Sequence, residues 1–287
     1  MSPAMTARTS WWGKRSLWQR FLLLLVVIGI AAAAYFFLNR GPAPEPSIFR
    51  VSSSGGDATL VIEGNDPQWS PDGNSVLLTA DDDEGVTGIY RFDLGGTEPA
   101  FVTEGGNPSW SPDGSTILFS RETTDGVSQV FTIDAGGGEA TLLTDGDEPV
   151  LSPDGTLIAF SGLDQAGTAG VYTFEIATEA VTLLTPGEEP AWSPDGTMIA
   201  FVSENAEGDS EIQTWDLAGG EATFVTGGDD PTWSPDGTTI AFTGEDNAEE
   251  PAVFTVVPGS APTLVTNGEE PSWSPDGSEF AFVRAAE

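Results

Sequence analysis

Short apolar runs alternate with polar, glycine-rich turns along most of the chain, and the pattern repeats about every 41 residues. Each unit contains four strand-like runs. The unit is marked by Trp-Ser-Pro-Asp-Gly at 69–73, 110–114, 192–196, 233–237 and 273–277, and by Leu-Ser-Pro-Asp-Gly at 151–155. A period near 40 with four strands per unit is typical of β-propeller blades and not of helical solenoids.

Within each unit, the local chemistry predicts the order of strands and turns. The first run ends at the Trp, and Ser-Pro-Asp-Gly has the residue preferences of a type I turn closed by a left-handed Gly. The second run, for example residues 158–161, is apolar on both faces, as expected for a sheet packed between two neighbours. Residues 171–174 of the same unit predict its third strand. The fourth strand is exemplified by residues 140–144, which belong to the preceding unit.

The ends of the repeat region predict how the ring closes. Residues 48–64 read as a third and fourth strand, and residues 271–284 read as a first and second strand. Joined, they make one composite blade beside five internal ones, which hides the exposed sheet edges. We therefore expect an all-β fold, a six-bladed β-propeller with a composite closing blade over residues 48–287, preceded by one N-terminal transmembrane helix.

That helix is predicted at residues 21–38, which are 18 residues without a charge. At about 1.5 Å per residue they span roughly the hydrocarbon core of a bilayer. Basic residues at 14, 15 and 20 predict that residues 1–20 stay in the cytoplasm. The small residues 31–34 leave a cleaved signal peptide as the alternative.

Both alternatives place the rest of the chain outside the cytoplasm. The first predicts a single-pass protein of the plasma membrane, with its N-terminus inside and its propeller in the periplasm or at the cell surface. Residues 39–47 contain three prolines and predict a semi-rigid linker between membrane and propeller.

Charge divides the chain sharply. Residues 41–287 contain all 45 acidic residues and only four arginines, a net charge of −41, whereas residues 1–40 contain five basic residues and no acid. Such a surface repels nucleic acid and attracts cations and basic partners. The acidity fits either adaptation to salty media or a compositional bias.

Two residue types are missing altogether, because the chain has no Cys and no His. Their absence excludes disulfides, Cys- or His-ligated zinc, and a His general base. Any metal ion would need oxygen ligands, as calcium does.

At the repeated Pro-x-Trp-Ser-Pro-Asp-Gly motif the sequence resembles TolB-type β-propellers over about residues 48–287. The resemblance implies a periplasmic partner of envelope proteins or an accessory domain of a serine peptidase. TolB proper carries an α/β domain before its propeller, whereas a short spacer precedes residue 48 here. Because the chain has no Gly-x-Ser-x-Gly and no His, a peptidase role is excluded.

Pairs of polar residues, mostly acidic, precede the first strand of every unit, in the pattern Gly-x-x-Pro. First strands line a propeller's axis, so nine carboxylates are expected to converge on one mouth of the channel. Calcium is the candidate ligand of this mouth, and a solvated acidic rim is the alternative. The predicted metal ligands are Asp147, Glu148, Glu188, Glu189, Asp229, Asp230, Glu269 and Glu270, and Asp66 is the ninth carboxylate.

The aspartates of the Ser-Pro-Asp-Gly motifs are expected to bond the local backbone of their turns instead of a ligand. Residues 81–85 lack the ligand spacing of an EF-hand and are expected to form a solvated loop. The repeated tryptophans are expected to pack in the core or between blades.

Three functions remain from the sequence. The first is a non-catalytic, membrane-anchored module of the cell envelope that binds a protein, a peptide or a polysaccharide. The second is a calcium-binding or small-ligand-binding sensor, and the third is a glycoside-active enzyme using a carboxylate pair. We expect no catalytic residues, no organic cofactor and no nucleic acid partner.

Overall fold

The computed structural model describes residues 46–163 and 169–285, and every regular element in these ranges is a β-strand. The predicted tail at 1–20, the predicted membrane segment at 21–38 and most of the predicted linker lie outside the described residues. Within the described ranges there is no helix long and apolar enough to cross a membrane.

The strands form six sheets of four, which we call blades 1 to 6. Blade 1 contains β3 (Asn65–Trp69), β4 (Ser75–Asp81), β5 (Thr87–Asp93) and β6 (Ala100–Glu104), and blade 2 contains β7 (Gly106–Trp110), β8 (Thr116–Glu122), β9 (Ser128–Asp134) and β10 (Thr141–Asp145). Blade 3 contains β11 (Asp147–Leu151), β12 (Leu157–Leu163), β13 (Ala169–Glu175) and β14 (Ala180–Thr185), and blade 4 contains β15 (Glu188–Trp192), β16 (Met198–Glu204), β17 (Ser210–Asp216) and β18 (Ala222–Gly227). Blade 5 contains β19 (Asp229–Trp233), β20 (Ile240–Glu245), β21 (Pro251–Val256) and β22 (Thr263–Asn267), and blade 6 contains β23 (Glu269–Trp273), β24 (Glu279–Ala285), β1 (Pro46–Ser52) and β2 (Thr59–Glu63).

Blade 6 is the composite blade that the sequence predicts. Its strand order is β2-β1-β24-β23, and β1 pairs antiparallel with β24 from Pro46 opposite Ala285 to Ser52 opposite Glu279. The first strand begins at Pro46, two residues before the predicted start of the propeller, because the end of the linker joins the ladder. The six-bladed, all-β fold with a composite closing blade is confirmed.

The core lies on both faces of the second strands, between adjacent blades. In β12, for example, Ile158, Ala159 and Phe160 are all buried although consecutive side chains point to opposite faces. One face packs on the preceding blade and the other on the following blade. This explains why the second runs are continuously apolar in the sequence.

The Ser-Pro-Asp-Gly turns are stabilised by their own side chains. In blade 1, Asp72 accepts hydrogen bonds from the Ser70 hydroxyl at 2.7 Å and from the Asn74 amide at 3.0 Å, and Gly73 has a φ of 70°. The bond from the motif's serine to its aspartate recurs in the other five motifs. These bonds lower the pKa of Asp72 to about 2. The expectation that these aspartates hold turns is confirmed.

The motif tryptophans connect neighbouring blades, as expected. The indole nitrogens of Trp110, Trp192 and Trp273 donate to carbonyl oxygens of the first strand in the preceding blade, at 3.1–3.3 Å. The acidic residues at 81–85 form a hairpin turn in which the Asp82 carboxylate accepts amide hydrogen bonds from Glu84 and Val86. Asp82 is thus satisfied locally.

Candidate functional site

The second residue of the inner strand of every blade is left-handed. It is the second residue of each Gly-x-x-Pro connection and has a φ between 48° and 54°, a region that residues other than Gly, Asn and Asp seldom adopt. The proline that follows it occurs in all six connections and lies within the first strand. We call these six residues the mouth ring: Asp66, Asn107, Glu148, Glu189, Asp230 and Glu270.

The glycine two residues before each ring residue is required for two reasons. Its backbone conformation is unfavourable for other residues, and a side chain would not fit at this position. At Gly187, φ is 142°, and a Cβ atom would lie 2.5 Å from the carbonyl oxygen of Val202 and 2.6 Å from the Phe201 ring. The chain therefore passes directly over the second strand before it turns into the channel. The other five connections have the same glycine, with φ between 136° and 148°.

All six mouth-ring residues line one pocket of about 190 Å³. The prolines that follow them, and residues further along five of the first strands, complete the wall. Because every blade contributes its innermost strand, the pocket lies on the axis of the propeller. Five of the six mouth-ring residues carry carboxyl groups, and the sixth is Asn107.

The structure brings together one acid of each predicted pair and separates the other. Of the predicted metal ligands, Glu148, Glu189, Asp230 and Glu270 line the central pocket, together with Asp66. The first acids, which are Asp147, Glu188, Asp229 and Glu269, are not part of its wall. The second residue of each pair has the positive φ described above, and it is this residue that lines the pocket. Five of the nine carboxylates expected at the channel mouth thus line the central pocket.

Glutamates in the mouth ring connect adjacent blades directly. The Glu148 carboxylate accepts a hydrogen bond from the amide of Glu189 at 3.0 Å, and the Glu189 carboxylate accepts one from the amide of Asp230 at 2.7 Å. In the same way, Glu270 accepts from the amide of Asp66 at 2.8 Å, across the junction of the composite blade. Each of these carboxylates accepts the amide of the mouth-ring residue in the next blade.

The side chains of the ring aspartates are one methylene shorter than those of the glutamates. They bond to a hydroxyl group of their own blade instead. The Thr79 hydroxyl donates to Asp66 at 2.6 Å, and the Thr243 hydroxyl bonds Asp230. Thr243 also accepts the amide of Glu270 at 3.0 Å, so it relays the contact to the next blade. For Asp230, Thr243 therefore makes the contact with the next blade that the glutamates make with their own carboxylates.

Glu189 and Glu270 have no such hydroxyl. The second-strand residues at the corresponding register positions are Val202 and Val283, whereas Glu148 faces Ser161, whose hydroxyl donates to it at 2.6 Å. Hydrogen-bond donation to a carboxylate stabilises its charged form. Glu189 and Glu270 thus lack one source of stabilisation for a negative charge.

Burial raises the pKa of all five carboxyl groups in the ring. For Glu189 and Glu270 the pKa rises to about 8, and the next cause is the negative charge of Asp230 for the former and of Asp66 for the latter. For Asp66, Glu148 and Asp230, the hydroxyl donors oppose the rise. At neutral pH Glu189 and Glu270 therefore hold their protons.

This arrangement does not present the ligand set of a metal ion. Among residues 46–163 and 169–285, no group of three or more acidic side chains is placed to hold one. The ring carboxylates that span to the next blade are directed sideways to its amide rather than towards a common point. The calcium site stays a prediction from the sequence.

Comparison with known proteins identifies the family. Residues 61–189 and 147–287 match the TolB beta propeller domain. This chain belongs to the TolB β-propeller family. No curated protein sequence matches this TolB-family chain.

Solved structures agree with this assignment. The structure assigned as TolB from Agrobacterium tumefaciens is 27% identical, with a TM-score of 0.74, and the alignment covers 86% of this chain and all of that one. TolB from Acinetobacter baumannii is 18% identical, with a TM-score of 0.65, covering 89% of this chain and 68% of that one. An oligogalacturonate lyase in complex with manganese shares the fold alone, at 15% identity and a TM-score of 0.55, with 80% of each chain covered.

The second-strand hydroxyls are the part of the site that the motif spacing does not reveal. Aligned on the repeat, the second strands carry a hydroxyl or a valine at one position: Thr79, Ser120, Ser161, Val202, Thr243 and Val283. Valine occurs only where the ring residue is a glutamate that reaches the next blade unaided. This correlation across the repeats is a signal that reading each motif alone misses.

Proposed function

We propose that this TolB-family propeller is a non-catalytic protein-binding module of the cell envelope, exported and anchored in the plasma membrane through residues 21–38. The observation that carries the proposal is the mouth ring, which lines a pocket on the propeller axis and has three of its five carboxyl groups fixed by hydrogen bonds to the next blade. A rigid, concave, acidic site is suited to a basic side chain of a partner.

The size and chemistry of the pocket support binding rather than catalysis. Its volume of about 190 Å³ is below the range of roughly 300–1,000 Å³ usual for small-molecule sites. One long side chain fills such a space. The whole sequence contains no Cys or His that could act there as nucleophile or base.

Charge favours a basic partner. The exported part has a net charge of −41, which speeds the approach of positively charged surfaces. A cation entering the pocket favours the ionised forms of Glu189 and Glu270, whose pKa of about 8 makes binding release protons at neutral pH. Binding is therefore expected to strengthen as the pH rises from 6.5 to 8.5.

Partner capture with matched variants tests the binding role. The full-length chain, tagged at its C-terminus and solubilised in detergent, is used to capture proteins from envelope extracts. The triple variant Glu148→Gln, Glu189→Gln, Glu270→Gln removes three ring carboxyls, and Glu98→Gln, Glu139→Gln, Glu221→Gln removes three exposed ones. We expect a partner that the wild type and the exposed variant retain and the ring variant loses. Equal capture by all three contradicts a role for the mouth ring.

Protease treatment of intact cells and spheroplasts tests the anchoring and the topology. We expect the full-length chain in the membrane fraction, resistant to carbonate extraction, and digested from the outside without lysis. Recovery in the soluble cytoplasmic fraction contradicts export. A shortened, soluble form outside the cell identifies a cleaved signal peptide instead.

A further inference from the structure

One position of the third strand is threonine in four blades and arginine in two. Each of the four threonines lies directly opposite a threonine of the fourth strand, as Thr173 does opposite Thr182, and such cross-strand pairs suit a sheet. The occupants of the position, from blade 1 to blade 6, are Arg91, Thr132, Thr173, Thr214, Thr255 and Arg50. A blade therefore forms without an arginine at this position.

Arg91 reaches across the boundary between blades 1 and 2. Its Nη1 donates to the Ala135 carbonyl oxygen of blade 2 at 3.5 Å, and its Nε lies 3.3 Å from the Asp93 carboxylate. Within residues 46–163 and 169–285, no hydrogen bond uses its Nη2, and 36% of the side chain is exposed. The guanidinium group is thus held in place while its Nη2 stays available to a ligand.

The Arg91 side chain lines a pocket of about 510 Å³ at this boundary, which is within the range of roughly 300–1,000 Å³ usual for small-molecule sites. Trp110 and the exposed Pro71 form the apolar part of its wall. The polar part consists of Arg91, Asn74, Asp72, Asp93 and Asp113. Asn74 and the three aspartates are exposed, so a ligand can reach them.

Two of these aspartates belong to Ser-Pro-Asp-Gly turns. The hydrogen bonds that hold Asp72 and Asp113 in their turns end on Oδ1, which leaves Oδ2 for a donor from outside. The turn bonds, first of all those from Ser70 and Ser111, lower the pKa of both carboxyl groups to about 2. The pocket therefore places charged acceptors beside the guanidinium donor.

A second pocket, of about 280 Å³, lies at the boundary between blades 6 and 1. Arg50 lines it as Arg91 lines the first, and its Nη1 lies 3.4 Å from the Glu279 carboxylate. Asp72 belongs to the walls of both pockets. The two pockets thus adjoin at the turn of blade 1.

The boundary between blades 3 and 4 has the same turns without the arginine. A pocket of about 290 Å³ there is lined by Asp154, Asp195 and Trp192. Thr173 stands at the position that Arg91 occupies in blade 1. The acceptors and the tryptophan therefore recur with the motif, whereas the guanidinium donor is particular to blades 1 and 6.

The charges of the Arg91 pocket favour an uncharged ligand. Three carboxylates on the wall outnumber the one guanidinium, so an anion is repelled. A cation is repelled by the guanidinium and cannot use its N–H groups. A hydroxyl both accepts and donates, so neighbouring hydroxyls of one molecule can bond to the arginine and to an aspartate together. Sugars combine such hydroxyls with C–H surface that suits the apolar wall.

We propose that the two pockets that adjoin at Asp72 bind a neutral oligosaccharide. One sugar unit lies in the Arg91 pocket, where its hydroxyls accept from Arg91 Nη2 and donate to Asp72 and Asp113, with its C–H surface towards Trp110. The chain continues past Asp72 into the Arg50 pocket. This site is separate from the mouth ring, because the first strands begin at the ring and end at the Ser-Pro-Asp-Gly turns.

Saturation-transfer NMR on the full-length protein, in a detergent without a sugar headgroup, tests the site. The neutral probes are α- and β-1,4-linked trisaccharides of glucose, galactose, mannose and N-acetylglucosamine. The charged probes are trigalacturonate and triglucosamine. We expect saturable binding of at least one neutral probe and none of trigalacturonate. Failure of every neutral probe to bind overturns the proposal, and so does a preference for trigalacturonate.

Two arginine variants locate the binding. Arg91→Thr gives blade 1 the residue of four other blades, so its melting temperature should stay close to that of the wild type, whereas affinity for the neutral probe should fall about tenfold or more. Arg121→Ser removes the same charge from blade 2, where Arg121 donates to the Glu104 carbonyl oxygen just before the connection to the mouth ring. It should bind as the wild type does. Equal losses in both variants assign the effect to net charge and overturn the proposal.

Two further variants test the acceptor and the second pocket. Asp113→Asn should weaken binding several-fold, whereas Asp236→Asn makes the same change in the motif of blade 5, outside both pockets, and should not. Arg50→Thr should weaken binding of the trisaccharide but not of the corresponding monosaccharide. Unchanged affinity for the trisaccharide in both Asp113→Asn and Arg50→Thr overturns the proposed contacts.

Discussion

Glu189 and Glu270 occupy a left-handed backbone conformation in which glycine is the cheaper residue. Glycine cannot replace them without loss, because their carboxyl oxygens accept the amides of Asp230 and Asp66 in the next blade at 2.7 Å and 2.8 Å. The strain is thus retained where a side chain joins two blades. Strained residues of this kind concentrate at functional sites.

The pKa of about 8 at Glu189 predicts how stability depends on pH. Between the unfolded value of 4.5 and about 8, the folded protein keeps a proton that the unfolded chain releases, so this contribution is complete below 4.5 and is lost as the pH rises to about 8. Glu189→Gln keeps the acceptor and removes the titration. We expect its melting temperature at pH 9 to exceed that of the wild type by about 5 °C. At pH 4 the two should coincide.

The control for this comparison is Glu221→Gln, an exposed loop position. It should follow the wild-type melting curve at both pH values. An equal gain in both variants at pH 9 assigns the effect to overall negative charge and contradicts a special role of the ring.

Val202→Thr tests the role of the second-strand hydroxyl. It gives Glu189 the donor that Ser161 gives Glu148 at 2.6 Å, with little change in shape. Donation to the carboxylate stabilises its charged form, so the pKa of Glu189 should fall. NMR titration of the Glu189 carboxyl carbon measures the shift, with Val225→Thr in β18 as the control. An unchanged or higher pKa contradicts the hydroxyl account.

At the scale of elements, local chemistry was sufficient to predict the strands and turns. The Ser-Pro-Asp-Gly turns contain their own hydrogen bonds, and the second strands show their two-sided burial as continuous apolar runs. The orientation of the acidic pairs was not predictable in this way. Which acid faces the pocket depends on a positive φ at the second residue, and glutamate has no preference for that conformation.

The glycine of each inter-blade connection gives a prediction at this scale. Gly187→Ala places a Cβ 2.5 Å from a backbone carbonyl oxygen at a φ of 142°, whereas Gly208→Ala has a φ of 88° and no atom within 4 Å. Gly208→Ala should cost about 1 kcal/mol and Gly187→Ala about 3 kcal/mol or more. Thermal melts should therefore separate the two variants by about 4–8 °C. Equal melting temperatures contradict the need for close approach at residue 187.

At the scale of the whole molecule, the sequence predicted the ring because its two ends complement each other. Residues 48–64 lack inner strands and residues 271–284 lack outer ones, and the structure joins them through β1 and β24.

Closure of the ring should also limit unfolding. Ser52 and Glu279 lie directly opposite each other in β1 and β24. The wild-type chain has no cysteine, so the double variant Ser52→Cys, Glu279→Cys can form only one disulfide within the chain. A bond that closes a loop of about 230 residues removes roughly 5 kcal/mol of unfolded-state entropy, against roughly 2 kcal/mol for a short hairpin. Asp81→Cys with Thr87→Cys, also directly opposite, supplies the hairpin control. Melting temperatures with and without reductant should rise by about 10 °C for the closing pair and about 5 °C for the hairpin. Equal gains for the two bonds contradict the expected dependence on loop length.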